Sequence, residues 1–498
     1  MPTDGGCCGS RRLKPERRPE GGVQPRPVAV SLLALAVLAG TLALPVAWGT
    51  VSGADGPAPA TLQPNATGAS NPCVGRMERT PNGTTVVTVQ GIAFDDGRYV
   101  KQPALAVGFA PDGGFEYAYN ATARGRFWAY DVDPLPTGDL LLATTEPGVA
   151  IAERVDPATG ERTSVERFAR TPNVTVATDV DRLPNGNLLV ADATPGRERL
   201  LVYDPRAEAV VWNWTVAGDG GLRRSPDSED ERVRINDVDR VARGEYLASA
   251  RDLDQVLLVN RSTGEIARRL GRDEAFRTLD RPSNPQLLRA GETTNGPGQS
   301  SAGSDGRISV LVADGGNDRV VEYAHTPGAA PAGSPGGEDW TLTWELVGGG
   351  LDEPRDADRL PNGNTLVVDR RGHRVLEVTP AGRVVWEVYV PWQPYDAERV
   401  ALGDEPGGPP AASFDANRTV ALSGSAAFDQ RRVADCAAAL LEFAPTRDER
   451  LLGAFGVNAS TAAGATPGAG AREGLRALGL GGAAVVALAA GAFYVLRE

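Results

Sequence analysis

Pairs of aspartates one residue apart recur along the chain, as Asp131-Val132-Asp133, Asp179-Val180-Asp181, Asp237-Val238-Asp239 and Asp356-Ala357-Asp358. In an extended strand the side chains at i and i+2 leave on the same face, so both carboxylates of a pair project together while the small apolar residue between them points into the sheet packing. A ring of such carboxylates can bind a cation, accept hydrogen bonds from a ligand, or cap the turns of the unit that repeats them. Recurrence in most copies favours the last role, because repeated residues build the repeat. The residues beside the pairs are then the better site candidates: Thr178, Arg234 with Asn236, Ser283 with Asn284, and Arg355. Arg355, Arg234, Asn236 and Asn284 can grip an anionic ligand through charge-assisted hydrogen bonds; salt bridges to neighbouring aspartates are the competing use of the arginines. The candidate channel and ligand-binding set is therefore Asp179, Arg234, Asn236, Asp237, Asn284, Arg355 and Asp356.

Positioning these residues requires strands. In the clearest copy, Asp356 to Asp369, Pro361-Asn362-Gly363 supplies a preset φ followed by residues that tolerate positive φ, and the β-branched run Thr365 to Val368 follows. Arg374 to Val378 and Arg383 to Val388 read as a second hairpin across Pro380-Ala381-Gly382, so one copy is four strands. Copies recur roughly every 50 residues, with a double interval before Asp356 that holds the strand Ile308 to Asp314 behind an insertion. Four-stranded units at that period predict an all-β propeller, here of six four-stranded blades, with an irregular β-sandwich as the alternative. Val86 to Tyr119, together with the end segment Val420 to Phe455, is expected to supply a sixth or ring-closing blade. Gly291 to Gly306, Gly328 to Gly337 and Gly403 to Ala412 read as surface loops.

Several phrases then carry a family resemblance. DVDRLPNGNLLVAD, INDVDR, SNPQLL followed by VLVADGGNDRVVEY, and PRDADRLPNGNTLVVDRRGHRVLEV with VVWEV, in this order over roughly Tyr117 to Val400, resemble the arylsulfotransferase family, in particular its membrane-anchored archaeal branch. The resemblance implies a six-bladed propeller whose enzymes move a sulfuryl group between phenols, without a nucleotide donor, through a sulfated channel histidine. In relatives that histidine precedes the Asp of a blade start, at positions matching Thr178, Arg234 and Ser283 here, and none of the three is His. The chain has two histidines, His325 beside a Pro/Gly/Ala-rich loop and His373 in the turn Gly372-His373-Arg374, where an exposed polar residue is expected. The catalytic residues are thus unknown. A non-catalytic cell-surface ligand-binding or scaffold propeller is the alternative function. A quinone-dependent dehydrogenase propeller is disfavoured, because the tryptophans do not recur at one blade position.

The flanks and the charge speak to location. Residues 1–27 are basic and expected in the cytoplasm; Val28 to Trp48 is long and apolar enough to span a bilayer, a cleaved signal peptide being the rival reading. Ala477 to Leu496, within the segment 475–496, reads as a second span, with flexible linkers at 49–75 and 458–474 and the propeller at 76–457 facing outside. Lys14 and Lys101 are the only lysines among 51 Lys+Arg, against 64 Asp+Glu, a balance that suits a halophilic surface or GC-rich coding, and the net charge of −13 argues against a nucleic-acid partner. Sequons at Asn65, Asn82, Asn120, Asn173, Asn213, Asn260, Asn417 and Asn458 all fall between the spans and are candidate glycosylation sites. Cys73 and Cys436 form a candidate disulfide, while Cys7 and Cys8 lie on the cytoplasmic side. No C-x-x-C or clustered His suggests zinc, and no metal or cofactor is expected. A small anionic or phenolic ligand is the expected partner; the oligomeric state is open.

Overall fold

The aspartate repeats begin the innermost strands of successive four-stranded antiparallel sheets. The computed structural model describes residues 71–444 apart from 96–97, 170–171, 223–232, 290–307, 326–338, 415–417 and 426–428. Blade I comprises Trp128–Pro134, Leu140–Glu146, Val149–Asp156 and Glu161–Arg167, in sequence order from the hub outward. Blades II, III and V repeat this meander from inner strands Ala177–Arg182, Ile235–Ala242 and Pro354–Arg359. In blade IV the inner strand is Pro282–Arg289 and the second is Ile308–Asp314, the insertion lying between them.

Blade VI differs in its chain path. Its inner strand, Pro394–Arg399, comes from the end of the repeat region and pairs with Thr85–Val89, which continues into Leu105–Phe109 and Phe115–Asn120. Ring closure thus belongs to Pro394–Arg399 rather than to the expected segment Val420 to Phe455. That later segment instead gives a short parallel strand, Thr419–Ala421, on the outer edge of blade IV, and a helix, Gln430–Phe443. The helix forms because Asp429 accepts the Arg431 N–H at its start, and Val433, Cys436, Ala437 and Leu440 place one buried stripe at i, i+3, i+4 and i+7. Cys436 on that stripe is bonded to Cys73, 363 residues earlier, with Cα atoms 4.6 Å apart. Just after Cys73, the strand Val74–Met77 adds a fifth strand to blade V.

Six apolar clusters lie one between each pair of neighbouring blades, as a radial stack of sheets requires. Between blades II and III, for example, Leu189, Ala191, Val202 and Trp214 meet Ile235, Val238, Tyr246 and Ala248. Val238 is the middle residue of an aspartate pair, so the alternation that sends carboxylates into the hub sends this side chain into the inter-blade core. Its burial stabilises by roughly 1.5–3 kcal/mol. Turns of the Pro-Asn-Gly type close the inner hairpins, with Gly186 and Gly363 both at φ 87°.

The residue after the second acidic side chain also turns away from the hub. Arg359 of blade V is fully buried against Glu322 of blade IV at 3.2 Å and lies 4.9 Å from the Trp344 ring. Arg399 of blade VI repeats the arrangement against Glu377 at 2.7 Å and Trp386 at 4.6 Å, both of blade V. Each arginine ties one blade to the blade before it. At the opposite end of the blades, Asp192–Arg199, Asp314–Arg319 and Asp369–Arg374 join second and third strands at 2.8, 2.7 and 2.8 Å. Much of the charge in the repeated phrases is therefore structural.

No helix among the described residues is long and apolar enough to cross a membrane. The spans expected at 28–48 and 475–496, the linker 458–474, residues 49–70 of the first linker, and Asn65, Asn417 and Asn458 lie outside the described residues; residues 71–75, expected as flexible linker, instead carry the disulfide and open the strand Val74–Met77. Asn82, Asn173 and Asn213 are exposed; Asn120 and Asn260 are half-buried, the former donating to the Ala444 carbonyl at 2.9 Å.

Candidate functional site

All six inner strands carry a register irregularity near their first hub residue, falling between Ala129 and Val132, Ala177 and Asp179, Ile235 and Asp237, Ser283 and Gln286, Pro354 and Asp356, and at Pro394 to Ala397. A bulge re-aims a side chain that strict alternation would send into the sheet packing. The bulged positions hold Tyr130, Thr178, Asn236, Asn284, Arg355 and Tyr395. These are residues beside the repeat, and they vary around the ring among Tyr, Thr, Asn and Arg.

Arg355 and Asn236 meet although blade IV separates their blades. The Arg355 Nη2 donates to Asn236 Oδ1 and to the Tyr395 hydroxyl, each at 2.6 Å, and its guanidinium lies 4.2 Å from the Tyr395 ring centroid. Tyr395 in turn packs edge-to-face on Tyr130 at 5.1 Å. Two donors of this group, Arg355 Nε and Asn236 Nδ2, are buried with no acceptor. An unpaired buried donor costs about 1–3 kcal/mol, so the arrangement is suited to an incoming oxygen. Around it lies a basic rim. Glu353 is ringed by Arg370 at 2.6 Å, Arg371 at 2.8 Å and Arg251 at 3.6 Å, which hold its carboxyl well below the usual carboxylate range against the opposing effect of burial. Burial, then the nearby Arg234, pulls Arg251 down to about 9. Glu353, Trp392 and Gln393 hold positive φ of 54°, 64° and 67° on this rim, a local strain that the surrounding packing must maintain.

Below the mouth the hub is acidic. Five blades contribute two carboxylates each, the sixth repeat being Asp396-Ala397-Glu398, while blade IV offers Asn284-Pro285-Gln286. The upper carboxylates link the blades in one rotational sense: Asp396 accepts from Val132 N at 2.9 Å, Asp131 from Val180 N at 3.2 Å, Asp179 from Val238 N at 2.5 Å and Asp356 from Ala397 N at 3.3 Å. The chain of bonds breaks at Asp237, whose neighbour in blade IV is Pro285 and has no N–H to give. Asp237 Oδ2 is buried and unpaired. Burial holds the carboxyls of Asp131, Asp179 and Asp356 well above their ordinary range, with neighbouring carboxylates adding to it, and holds Asp237 at about 7.

The sequence-derived set is thus divided. Asn236 and Arg355 come together; Asp179, Asp237 and Asp356 form the acidic ring beneath them; Asn284, at φ 37°, reaches across to Asp396 Oδ1 at 3.5 Å. Arg234 turns to the rim, where its fork engages Asp252 at 2.8 and 3.2 Å. Sequence reading passed over Tyr130, Tyr395, Asp396 and Glu398, although Tyr395-Asp396-Ala397-Glu398-Arg399 repeats the pattern of Arg355 to Arg359. It also read Gly403 to Ala412 as a surface loop, whereas Asp404 and Glu405 line the lower hub and Gly408 N donates to the Arg359 carbonyl at 3.0 Å.

Neither histidine lines the hub cavity. His325 is on the third strand of blade IV, edge-on to Trp340 at 4.9 Å. His373 is buried, not exposed as expected, at φ 54° in the turn between the second and third strands of blade V. It occupies the turn position held in blades III and IV by Asp254 and Asp318, whose carboxylates accept from Arg281 N at 3.0 Å and Glu353 N at 2.9 Å. Burial lowers the His373 pKa to about 4.

No family model matches the chain, and no curated protein matches it. Among solved structures, a protein of unknown function from Bacteroides caccae aligns at 14% identity and TM-score 0.38, over 68% of this chain and 98% of that one. The Cps50 (Swd1) β-propeller domain of Myceliophteria thermophila aligns at 11% identity and TM-score 0.35, over 63% and 87%. Virginiamycin B lyase from Staphylococcus aureus aligns at 11% identity and TM-score 0.33, over 53% and 70%. With TM-scores below 0.5, none of these likenesses carries an argument about this chain; the strand order above establishes the all-β six-bladed propeller.

Proposed function

We propose that this is an arylsulfotransferase-like propeller that works as a binding module for a small aryl anion, without histidine-borne sulfuryl transfer. The observation that carries this reading is the pair of buried donors lacking acceptors, Arg355 Nε and Asn236 Nδ2, set against the rings of Tyr395 and Tyr130. A guanidinium fork beside an aromatic wall matches a ligand with an anionic oxygen on a ring. The acidic ring below repels such a group and confines it to the mouth. Sulfuryl transfer by the family's route needs an imidazole at the hub, and both imidazoles of the chain lie elsewhere. The propeller is placed outside the cell, held by membrane segments at 28–48 and 475–496. A disulfide suits an oxidising compartment, and three exposed sequon asparagines suit glycosylation.

The test is to purify the chain in high salt and follow its melting with phenyl sulfate and with phenol, alongside a transfer assay using both. Stabilisation by the sulfate ester, lost in Arg355→Met, supports binding. Sulfuryl transfer that disappears on changing His373 or His325 overturns the reading in favour of the enzyme.

A further inference from the structure

We propose that the acidic hub below the mouth binds a hard divalent cation of the calcium class, with Asp131, Asp133 and Asp179 as its most closely gathered ligands. Carboxylate oxygens of these three residues all lie within 4.8 Å of one another, and all three side chains are buried. Close gathering of acids is not by itself a site. The independent observation is a set of orphaned atoms in the same hub: Asp237 Oδ2, Asp358 Oδ2 and Glu398 Oε2 are buried with no donor, on side chains only 6%, 6% and 4% exposed. These residues line, with Asp131 and Asp179, one half-open cavity of about 20 Å³ in which no Lys, Arg or His takes part. Other buried carboxylates, such as Glu322, Glu353, Glu377 and Asp369, sit against arginines. The hub concentrates carboxylates with no cationic side chain among its lining.

Uncompensated carboxylates at this depth must take up protons or a cation. The donor set argues for the hard-ion class: it is carboxylate oxygen, with the buried, unpaired Oδ1 of Asn284 adding a neutral amide oxygen, and it offers neither sulfur nor imidazole. Many carboxylate oxygens converging from several blades suit the high coordination number of calcium better than the strict octahedron of magnesium. Sequence reading named cation binding as one use of such a carboxylate ring but ranked it below a structural role, because repeated residues build the repeat.

The experiment strips the full chain with a chelator, then adds calcium chloride alone at pH 8 in low salt, with magnesium and sodium chlorides as parallel arms. The expected result is retention of calcium after dialysis and a saturable rise in melting temperature that magnesium matches only at a concentration at least tenfold higher. Asp133→Asn weakens calcium binding at least tenfold, yet melts no lower than the stripped parent, since it removes one repelling charge. Absence of retained calcium, equal stabilisation by sodium at the same ionic strength, or unchanged binding in Asp133→Asn overturns the proposal. Retention by the unaltered chain is read directly, so the test stands even where a variant misfolds.

Discussion

Replacing Asp237 by asparagine tests the account of the hub where its bonding breaks. Four upper carboxylates accept a backbone N–H from the next blade, and Asp237 meets Pro285 instead, leaving Oδ2 without a donor. Its carboxyl is held at about 7 in the folded chain by burial, whereas an unfolded aspartate titrates near 3.9. Between those values the folded state keeps a proton that the unfolded state has released. Stability from this group is therefore greatest below pH ~4 and is lost as pH rises through about 7. At about 1.4 kcal/mol per pH unit, the ionised carboxylate destabilises the metal-free protein at pH 8 by on the order of 4 kcal/mol, falling to about 1.5 kcal/mol at pH 5. Asparagine keeps the shape and cannot ionise. With an unfolding entropy of about 2.1 cal/mol/K per residue over roughly 370 residues, Asp237→Asn should melt about 4–5 °C higher than the parent at pH 8 in chelator, and only about 2 °C higher at pH 5. Scanning calorimetry at both pH values measures this. A variant that melts lower at pH 8, or whose advantage is the same at both pH values, refutes the reasoning.

Two further perturbations address the frame. Glu322→Gln leaves Arg359 charged, buried and unpaired between blades IV and V. Its expected cost is about 3–5 kcal/mol, read as a fall in the urea midpoint; a loss below about 1 kcal/mol would show that the clamp does not join the blades. Exchanging Cys73 and Cys436 together for serine opens a link spanning 363 residues. Stability should fall by about 2–5 kcal/mol, with the parent under reductant following the double variant; identical melting of oxidised and reduced parent would contradict this.

The frame was legible where the chain folds locally. A blade whose four strands are contiguous leaves an inner acidic pair, a Gly-containing turn and an apolar run in a fixed order, and blades I, II, III and V show all three. Blade VI does not: after Asp396-Ala397-Glu398 no hairpin turn follows, since the partner strand Thr85–Val89 lies at the other end of the sequence. Blade IV hides its start for another reason, because Asn284-Pro285-Gln286 replaces the acids. The site was partly legible. Arg355 and Asn236 were found as departures from the repeat, but their contact spans two blades and depends on bulges that alternation alone does not reveal. Tyr130 and Tyr395 occupy the same positions and were overlooked because tyrosine before an aspartate suggests ordinary packing. Arg234 precedes the bulge and so points to the rim.

Closure of the ring by Pro394–Arg399 also sets a timetable for synthesis. Strands Thr85–Val89, Leu105–Phe109 and Phe115–Asn120 leave the ribosome before blades I to V, yet Thr85–Val89 keeps an open hydrogen-bonding edge until residues 394–399 have been made. The four-stranded meander of every other blade can assemble from its own contiguous stretch as it emerges, only the added fifth strands of blades IV and V coming from elsewhere. The nascent chain thus carries a sticky three-stranded sheet through most of translation, a template for mispairing with a second nascent copy. A stop codon anywhere before residue 394 would strand that edge permanently, so truncation near the end of the wheel should be as damaging as truncation near its middle.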